Sequence, residues 1–226
     1  MTLAAIIPAK DEAQRIAATV RAVRDLGAEV VVIDDGSSDD TARLAREAGA
    51  RVVQHRRNRG KAAALMTGLA QVGAVDLVLF VDADLGESAS AVGVLVPPVA
   101  EGQADMTIAV LPPQGPGGGH GFVVRLARNG IRRLTGWEAT QPLSGMRCLN
   151  QAALQAGSPL AAGWGVEVGL TVDVLQAGLR VREVPCELRH RVTGSDWRGQ
   201  LHRAAQYRDV ARALGVRRWR AFRAAS

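Results

Sequence analysis

From Leu3 to Leu85 the chain repeats one pattern: a short apolar run, a polar cluster that stops it, then apolar residues at helical spacing. Leu3 to Ile7 closes on Pro8 and precedes Ile16, Thr19, Val20 and Val23, which recur at the interval of a helix face up to Gly27. Glu29 to Ile33 stops at Asp34-Asp35-Gly36-Ser37 and leads into a helical stretch, Thr41 to Ala48, ended by Gly49. Val52 and Val53 precede a helix over Lys61 to Val72, and Leu77 to Val81 runs into Asp82-Ala83-Asp84. Strands alternating with helices require right-handed crossovers and give a mainly parallel sheet. The runs are apolar throughout rather than every second residue, as expected when helices cover both faces. The reading is an α/β fold around one core, with every polar cluster at the carboxyl end of a strand, where open sheets bind ligands.

The second half is less regular. Pro112 to Gly121 (PPQGPGGGHG) cannot pack a core and reads as a loop or lid. After it come a basic helix around Val123 to Leu134, a loop over Gln141 to Gly145, a helix near Gln151 to Ala156, another from Gly165 to Ala177 and a strand from Arg180 to Leu188. Residues 1–199 form one expected domain, and 200–226 a basic helical segment on or beside it.

Composition narrows the class. With 47% apolar and 22% charged residues the chain is neither disordered nor fibrous. No apolar run approaches the ~18–20 residues of a spanning helix, and Met1 to Pro8 lacks the pattern of a secretion signal, so a cytoplasmic location is expected. Cys148 and Cys186 form no zinc or disulfide pattern and read as reduced thiols. The net charge of +6 is concentrated at the end, where twelve arginines face four acids from Arg180 onward. Aromatics are 4% and no nucleic-acid-binding module appears, which argues against nucleic acid as the partner. Leu201, Ala204, Tyr207, Ala211 and Leu214 fall at helical spacing, while Arg203, Arg208, Arg212, Arg217, Arg218, Arg220 and Arg223 give a cationic surface beside Trp219 and Phe222. Two readings follow: a helix docked on the domain, or peripheral contact with the inner face of an anionic membrane.

Asp82 and Asp84 present two carboxylates at the mouth of the most hydrophobic strand. Hard oxygen ligands at that spacing suit Mg²⁺ or Mn²⁺, whose remaining positions go to substrate phosphates and water. In Asp34-Asp35-Gly36-Ser37, helix capping accounts for only part of the acidity, which leaves at least one carboxylate for a ribose or base. Lys10 and Lys61 are the two lysines in a chain with 26 arginines, both in strand-to-helix loops, and Lys61 follows Gly60, where a compact charge can approach a phosphate. His55, His120 and His202 read as structural.

These residues carry a resemblance. IIPAKDEAQRI, VVIDDGSSDDT, NRGKAAAL, LFVDADL and GWGVEVGLTVDV stand in the order and approximate spacing seen in family 2-like nucleotide-sugar glycosyltransferases of the GT-A fold, from Ala4 to about Gly194. The resemblance implies a single-domain Rossmann-like mixed sheet. By the same likeness Pro8, Ala9, Lys10 and Glu12 line the base and ribose pocket with Asp35 and Gly36, Lys61 approaches the diphosphate, and Asp82, Ala83 and Asp84 make the ribose–metal contacts, the metal falling mainly to Asp84. QPLSG, GWGVEVGL and RHR resemble the glucosyl-3-phosphoglycerate synthases, which implies His190 as a second metal ligand. The turn Ser144-Gly145-Met146-Arg147 departs from the GGE-type turn of those synthases and is similar to the SGFR-like turn of polyprenyl-phosphate sugar transferases, so the acceptor stays open between the two branches.

The reaction this implies is transfer of a sugar from a UDP- or GDP-linked donor to a phosphate-bearing acceptor, 3-phosphoglycerate-like or polyprenyl phosphate. Metal and Lys61 would neutralise charge developing on the leaving diphosphate, an effect worth about 3–4 kcal/mol per group. Glu167, at an expected helix start, is the candidate for acceptor orientation or general base, grouped with Asp84 as catalytic. Arg125, Arg128 and Arg147 are candidates for the acceptor phosphate, with Ser144, Gly145 and Trp164 beside them. A non-catalytic nucleotide-sugar-binding module would keep the same pocket. A sugar-phosphate nucleotidylyltransferase would need a GxGTRxxP-like loop after the first strand, and Ile6 to Asp11 offers none. Oligomeric state is left open, a homodimer included.

Overall fold

The computed structural model describes residues 1–112, 121–188 and 197–225. Among these residues seven strands form one sheet: β1 (Leu3–Ala9), β2 (Glu29–Asp34), β3 (Arg51–Gln54), β4 (Leu77–Phe80), β5 (Met106–Val110), β6 (Arg147–Asn150) and β7 (Val181–Pro185), in the order β3-β2-β1-β4-β6-β5-β7. All pairings are parallel except those of β6, which runs antiparallel to both β4 and β5. The sheet is therefore mixed and mainly parallel, as the alternation implied. Among the described residues eight α-helices accompany it: α1 (Ile16–Arg24), α2 (Thr41–Glu47), α3 (Lys61–Gln71), α4 (Val96–Ala100), α5 (Phe122–Thr135), α6 (Gln151–Ala156), α7 (Val166–Gln176) and α8 (Trp197–Ala225). Two 3₁₀ segments, Gly86–Leu95 and Gly163–Gly165, complete the described elements.

The continuous apolar runs sort by parity onto two cores. Ala5, Ile7, Val30, Val32, Leu77 and Leu79 face the layer built by α1, α2 and the first 3₁₀ segment. Ile6, Val31, Ile33, Val78 and Phe80 face the layer of α3 and α7. Since successive strand side chains point to opposite faces, strand-end residues inherit this parity, and it decides which acids meet which helix. The strand order reverses beside β1, between β2 and β4, which places the loops after β1 and β4 at the crevice where doubly wound sheets take ligands.

The sequence reading missed β5, β6 and α4, all in the stretch from Leu95 to Asn150. Met106 to Val110 lacks an acidic stop, and Arg147 to Asn150 begins with a charged residue. Arg147 sits inside the sheet because the fold, not local pattern, compensates its guanidinium.

A third core lies beneath α8, where Val210 and Leu214 pack with Ala127, Ile131, Val168 and Val172 of α5 and α7. The face of α8 differs from the expected stripe: Tyr207 is exposed, Ala204 is exposed, and the buried set is Val210, Ala213, Leu214 and Arg217. Arg217, expected on the cationic surface, is buried and donates to Gly169 O at 3.0 Å, to Ala213 O at 3.1 Å and to Asp173 Oδ2. Glycines seat the helix. A Cβ on Gly130 would lie 2.3 Å from Leu214 Cδ1, and one on Gly169 would lie 2.7 Å from the Arg217 guanidinium. Among the described residues, no helix is long and apolar enough to cross a membrane. Cys148 and Cys186 are free and buried, with thiols pushed up by burial to about 12 and about 11.

Candidate functional site

A cleft of about 400 Å³ opens at the carboxyl ends of β1, β2 and β4, lined by Pro8, Ala9, Lys10, Asp35, Asn58, Gly60, Lys61, Ala64, Asp82, Gly163 and Trp164. Seven of these, Pro8, Ala9, Lys10, Asp35, Lys61, Asp82 and Trp164, were singled out from the sequence.

Lys61 is its electrostatic centre. As the first residue of α3 it donates from Nζ to Asp82 Oδ1 at 2.7 Å and pairs with Glu167 Oε1 at 3.1 Å. Burial alone would lower its pKa, but Asp82 and Glu167 outweigh that and hold it above the ordinary lysine value. Lys61 is therefore a fixed cation through the physiological range. The parity of β4 aims Asp82 at this helix, following Val78 and Phe80 on the α3 and α7 face. Glu167 reaches the same point from the first turn of α7, where a carboxylate is favoured by the helix dipole. Gly145 leaves the space they share: a Cβ there would lie 2.3 Å from Lys61 Nζ and 3.0 Å from Asp82 Oδ1.

The loops after β1 and β2 are sewn together. Lys10 Nζ donates to Asp11 Oδ2 at 2.9 Å and to Gly36 O at 3.1 Å, and the bond to Asp11 holds the lysine above its usual value. Asp11, at φ 55°, accepts the Ser38 amide at 2.7 Å, and these two contacts bring its carboxyl down to about 2. Glu12 N donates to Thr41 Oγ1 at 2.8 Å.

Both acids of the Asp34-Asp35 pair have partners within the fold. Asp34 accepts the Ser37 amide at 3.0 Å and Gln54 Nε2 at 3.0 Å. Asp35 is buried in the cleft wall and accepts the amides of Arg59 at 2.9 Å and Gly60 at 2.7 Å, with His55 Nδ1 at 2.7 Å. A carboxylate has about four lone-pair sites, so Asp35 retains one. Gly36, at φ 74°, packs against the Arg57 and Asn58 backbone, where a Cβ would come within 2.8 Å of Arg57 C.

The arginine expectations need correction. Arg147 is 1% exposed and cannot reach an acceptor from where it lies. Its Nε donates to Ser144 O at 3.0 Å and its Nη1 to Thr171 Oγ1 at 2.9 Å, while Thr171 donates to Glu167 O at 2.9 Å. It thus staples the Ser144–Gly145 turn to the first turn of α7, the two elements that close on Lys61. Burial pushes its guanidinium down to about 10, with Glu167 and Glu183 opposing. Nη2 of Arg147 and Oγ of the buried Ser144 have no hydrogen-bond partner. Arg128 is also structural, donating to Ala139 O and Thr140 O, both at 2.9 Å. Arg125 stands exposed outside the cleft lining, stacked 4.6 Å from the Phe122 ring. Trp164 lines the cleft, its amide donating to Asp209 Oδ2 of α8 at 3.2 Å.

Asp84 lies in the turn after β4, partly exposed, with its carbonyl accepting Arg15 Nη1 at 3.0 Å, and Ala83 O accepts Thr19 Oγ1 at 2.9 Å. Among the described residues no three His, Cys, Asp or Glu side chains converge on a metal position. The donor set on offer, Asp82 and Asp84 one residue apart, fits a hard divalent cation that takes one or two carboxylates and leaves the rest to phosphate and water. His190 lies outside the described residues. Asn58, Gly60 and Ala64, within the NRGKAAAL motif, and Gly163, within GWGVEVGLTVDV, line the cleft without being named as site residues from the sequence.

A family model described as glycosyl transferase family 2 matches residues 4–155. The chain is 29% identical over 199 residues to glycosyltransferase AglJ of Haloferax volcanii, covering 84% of this chain and 64% of that protein. It is 32% identical over 217 residues to glucosyl-3-phosphoglycerate synthase of Mycolicibacterium paratuberculosis, covering 80% and 65%. The chain thus spans somewhat under two thirds of these relatives. A solved glucosyl-3-phosphoglycerate synthase from Mycobacterium tuberculosis, in complex with Mn²⁺, UDP and glucosyl-3-phosphoglycerate, superposes with a TM-score of 0.80 at 29% identity, covering 96% of this chain and 79% of that one. The same enzyme has also been solved with Mg²⁺ and UDP, at a TM-score of 0.78 and 27% identity over the same shares.

Proposed function

The chain belongs to glycosyl transferase family 2, and from that premise we propose that it transfers a sugar from a nucleoside-diphosphate donor to a phosphate-bearing acceptor. The observation that carries this reading is the Lys61–Asp82–Glu167 cluster at the floor of the cleft, a fixed cation held between two acids where a diphosphate would enter. Pro8, Ala9, Lys10 and Asp35 form the wall for the nucleotide, with Glu12, Gly36 and Ala83 in the loops behind it. Lys61 offers its charge to the diphosphate, whose departure from the sugar leaves a negative charge to be neutralised. Mg²⁺ or Mn²⁺, when bound, supplies the rest of that neutralisation, and Asp84 with Asp82 would hold it, joined by His190 from the segment not described. Glu167, buried beside Lys61, orients the acceptor or the sugar hydroxyls. The donor in the related synthase structures carries UDP, which supports a UDP-sugar here.

For the acceptor, 3-phosphoglycerate has the support of the neighbour solved with phosphoglyceric acid. A specific observation favours polyprenyl phosphate as the second reading. Of the seven exposed large hydrophobic side chains among the described residues, Phe122, Tyr207, Val216, Trp219 and Phe222 lie on α5 and α8, among arginines, an arrangement suited to an anionic membrane surface. The deciding experiment incubates the protein with UDP- and GDP-sugars, Mg²⁺ or Mn²⁺, and each acceptor, and measures released nucleoside diphosphate and glycosylated product. Metal-dependent transfer that Lys61→Ala removes supports the proposal. Undiminished turnover in excess chelator, or nucleotide-sugar binding with no transfer to any acceptor, overturns it.

A further inference from the structure

His55 follows β3, has a side chain only 6% exposed and does not itself line the cleft, yet it is the middle member of a hydrogen-bonded chain ending at the cleft. Its Nε2 lies 2.9 Å from Thr67 Oγ1 on α3, and its Nδ1 lies 2.7 Å from Asp35 Oδ1. Asp35 in turn accepts the amides of Arg59 and Gly60, the two residues immediately before Lys61. A carboxylate accepts only, so Nδ1 carries the proton toward Asp35, and in the neutral ring Nε2 accepts from the Thr67 hydroxyl.

We infer that His55 is a positioning residue of the donor site: with Thr67 and Asp35 it fixes the turn that presents Lys61. The turn needs fixing for a stated reason. Gly60 sits at φ 87° as the residue preceding α3, and no side chain of its own caps the helix. Glycine explores positive and negative φ about equally, so without an external clamp the Arg59–Gly60 amides, and Lys61 after them, have no single position. Asp35 is that clamp, taking the Arg59 amide and sharing the Gly60 amide with Asn58 Oδ1 at 2.9 Å, and its carboxylate plane is set by His55. Both ends of the chain are on rigid elements, Thr67 in the middle of α3 and Asp35 just past β2, while His55 N is itself tied to Asp34 O at 2.9 Å. The order of the bonds predicts that disturbing His55 acts through Lys61 on diphosphate affinity, while the core under it stays in place.

This inference rests on the nucleotide-sugar reading for its ligand, so its test has one arm that does not. In the first arm, amide hydrogen exchange of Arg59 and Gly60 is followed by NMR without ligand. His55→Leu, which removes both bonds, is expected to speed exchange at these amides at least about tenfold relative to amides of β1 and β4. In the second arm, UDP binding with Mn²⁺ is titrated by calorimetry. His55→Leu is expected to weaken it about tenfold, His55→Asn, whose Nδ2 can take the place of Nδ1 toward Asp35, restores most of the affinity, and Thr67→Val falls between them. A melting-temperature change of a few degrees accompanies this in each variant without following the order of the affinities. Should His55→Leu fail to fold, the His55→Asn and Thr67→Val pair decides, since it too must show graded exchange at Gly60. Unchanged exchange at Arg59 and Gly60, or a uniform rise across β1 and β4 as well, overturns the positioning role. Altered exchange at these amides with no UDP binding even by the unsubstituted protein would leave the clamp standing and remove the nucleotide reading instead.

Discussion

The two halves of the sheet treat their charged residues in opposite ways. From β1 to β4 acids and lysines stand at strand ends, where backbone amides and a cleft receive them. From β5 to α8 the charged groups that matter, Arg147 and Arg217, are buried among apolar residues and hold elements together. In the first region charge is displayed by the fold. In the second it is consumed by it, and a basic composition there says little about what the surface offers.

Metal removal probes the displaying half most severely. Chelation, or Asp84→Ala, is expected to reduce sugar transfer at least about 100-fold, the scale of losing one preorganised charge-stabilising group, measured as nucleoside diphosphate release. Retention of more than a tenth of the rate would detach the Asp82-Ala83-Asp84 turn from the chemistry.

Arg147→Met tests the consuming half. It strands Ser144 O and Thr171 Oγ1 and is expected to lower stability by about 3 kcal/mol in urea unfolding, whereas Arg125→Met should stay within about 0.5 kcal/mol. Arg217→Ala leaves Asp173 without its buried partner and is expected to cost about 2 kcal/mol, against a change within about 0.5 kcal/mol for Arg218→Ala. If the two members of either pair proved equal, the contrast between buried and displayed arginine would fail.

Gly145→Ala sits where the halves meet. Its Cβ collides with Lys61 Nζ, so nucleotide affinity is expected to fall about tenfold, about 1.4 kcal/mol, with little change in melting temperature. Affinity within twofold of the parent would mean that the turn yields.

The smallest effect concerns acid. Asp11, Asp39, Asp76 and Asp105 all have carboxyls held below the ordinary value, Asp11 chiefly by Lys10 and the Ser38 amide, at about 2. A lowered folded-state pKa means that the unfolded chain takes up protons first. Their stabilising contribution is therefore present above about pH 4 and lost as pH falls toward 2. Carboxyl titration by NMR should give Asp11 a midpoint near 2; a midpoint near 4 would show that the loops after β1 and β2 are not joined there.

Much of this was legible beforehand, and the reasons are local. The βα alternation, the helix over Lys61 to Gln71 and the acids after β4 follow from period and punctuation, which need no knowledge of distant residues. The parity running from Val78 through Phe80 to Asp82 even fixes the face that Asp82 takes. What escaped were features whose stabilising partners lie far along the chain. Met106 to Val110 has strand composition but is followed by Leu111-Pro112 rather than by the acids that stopped its predecessors. Asp34 and Asp35 looked like surplus acid because Gln54, His55 and the Arg59 and Gly60 amides, which use them, lie some twenty residues later. Tyr207 and Ala204 fit a helical stripe as well as Val210 and Ala213 do, and the glycine seats at Gly165, against Ala213, and Gly169, against Arg217, select between the two faces.

The sequence by itself determined the order of elements from β1 to β4, the crevice at the strand ends and the family, because hydrophobic period and short motifs are written in neighbouring residues. The tertiary structure alone decided which charges stay available. Solvation or compensation of a guanidinium or carboxylate depends on what packs against it in space, and Ser144 and Thr171 around Arg147, like Gly169 and Asp173 around Arg217, become neighbours only when the chain has folded.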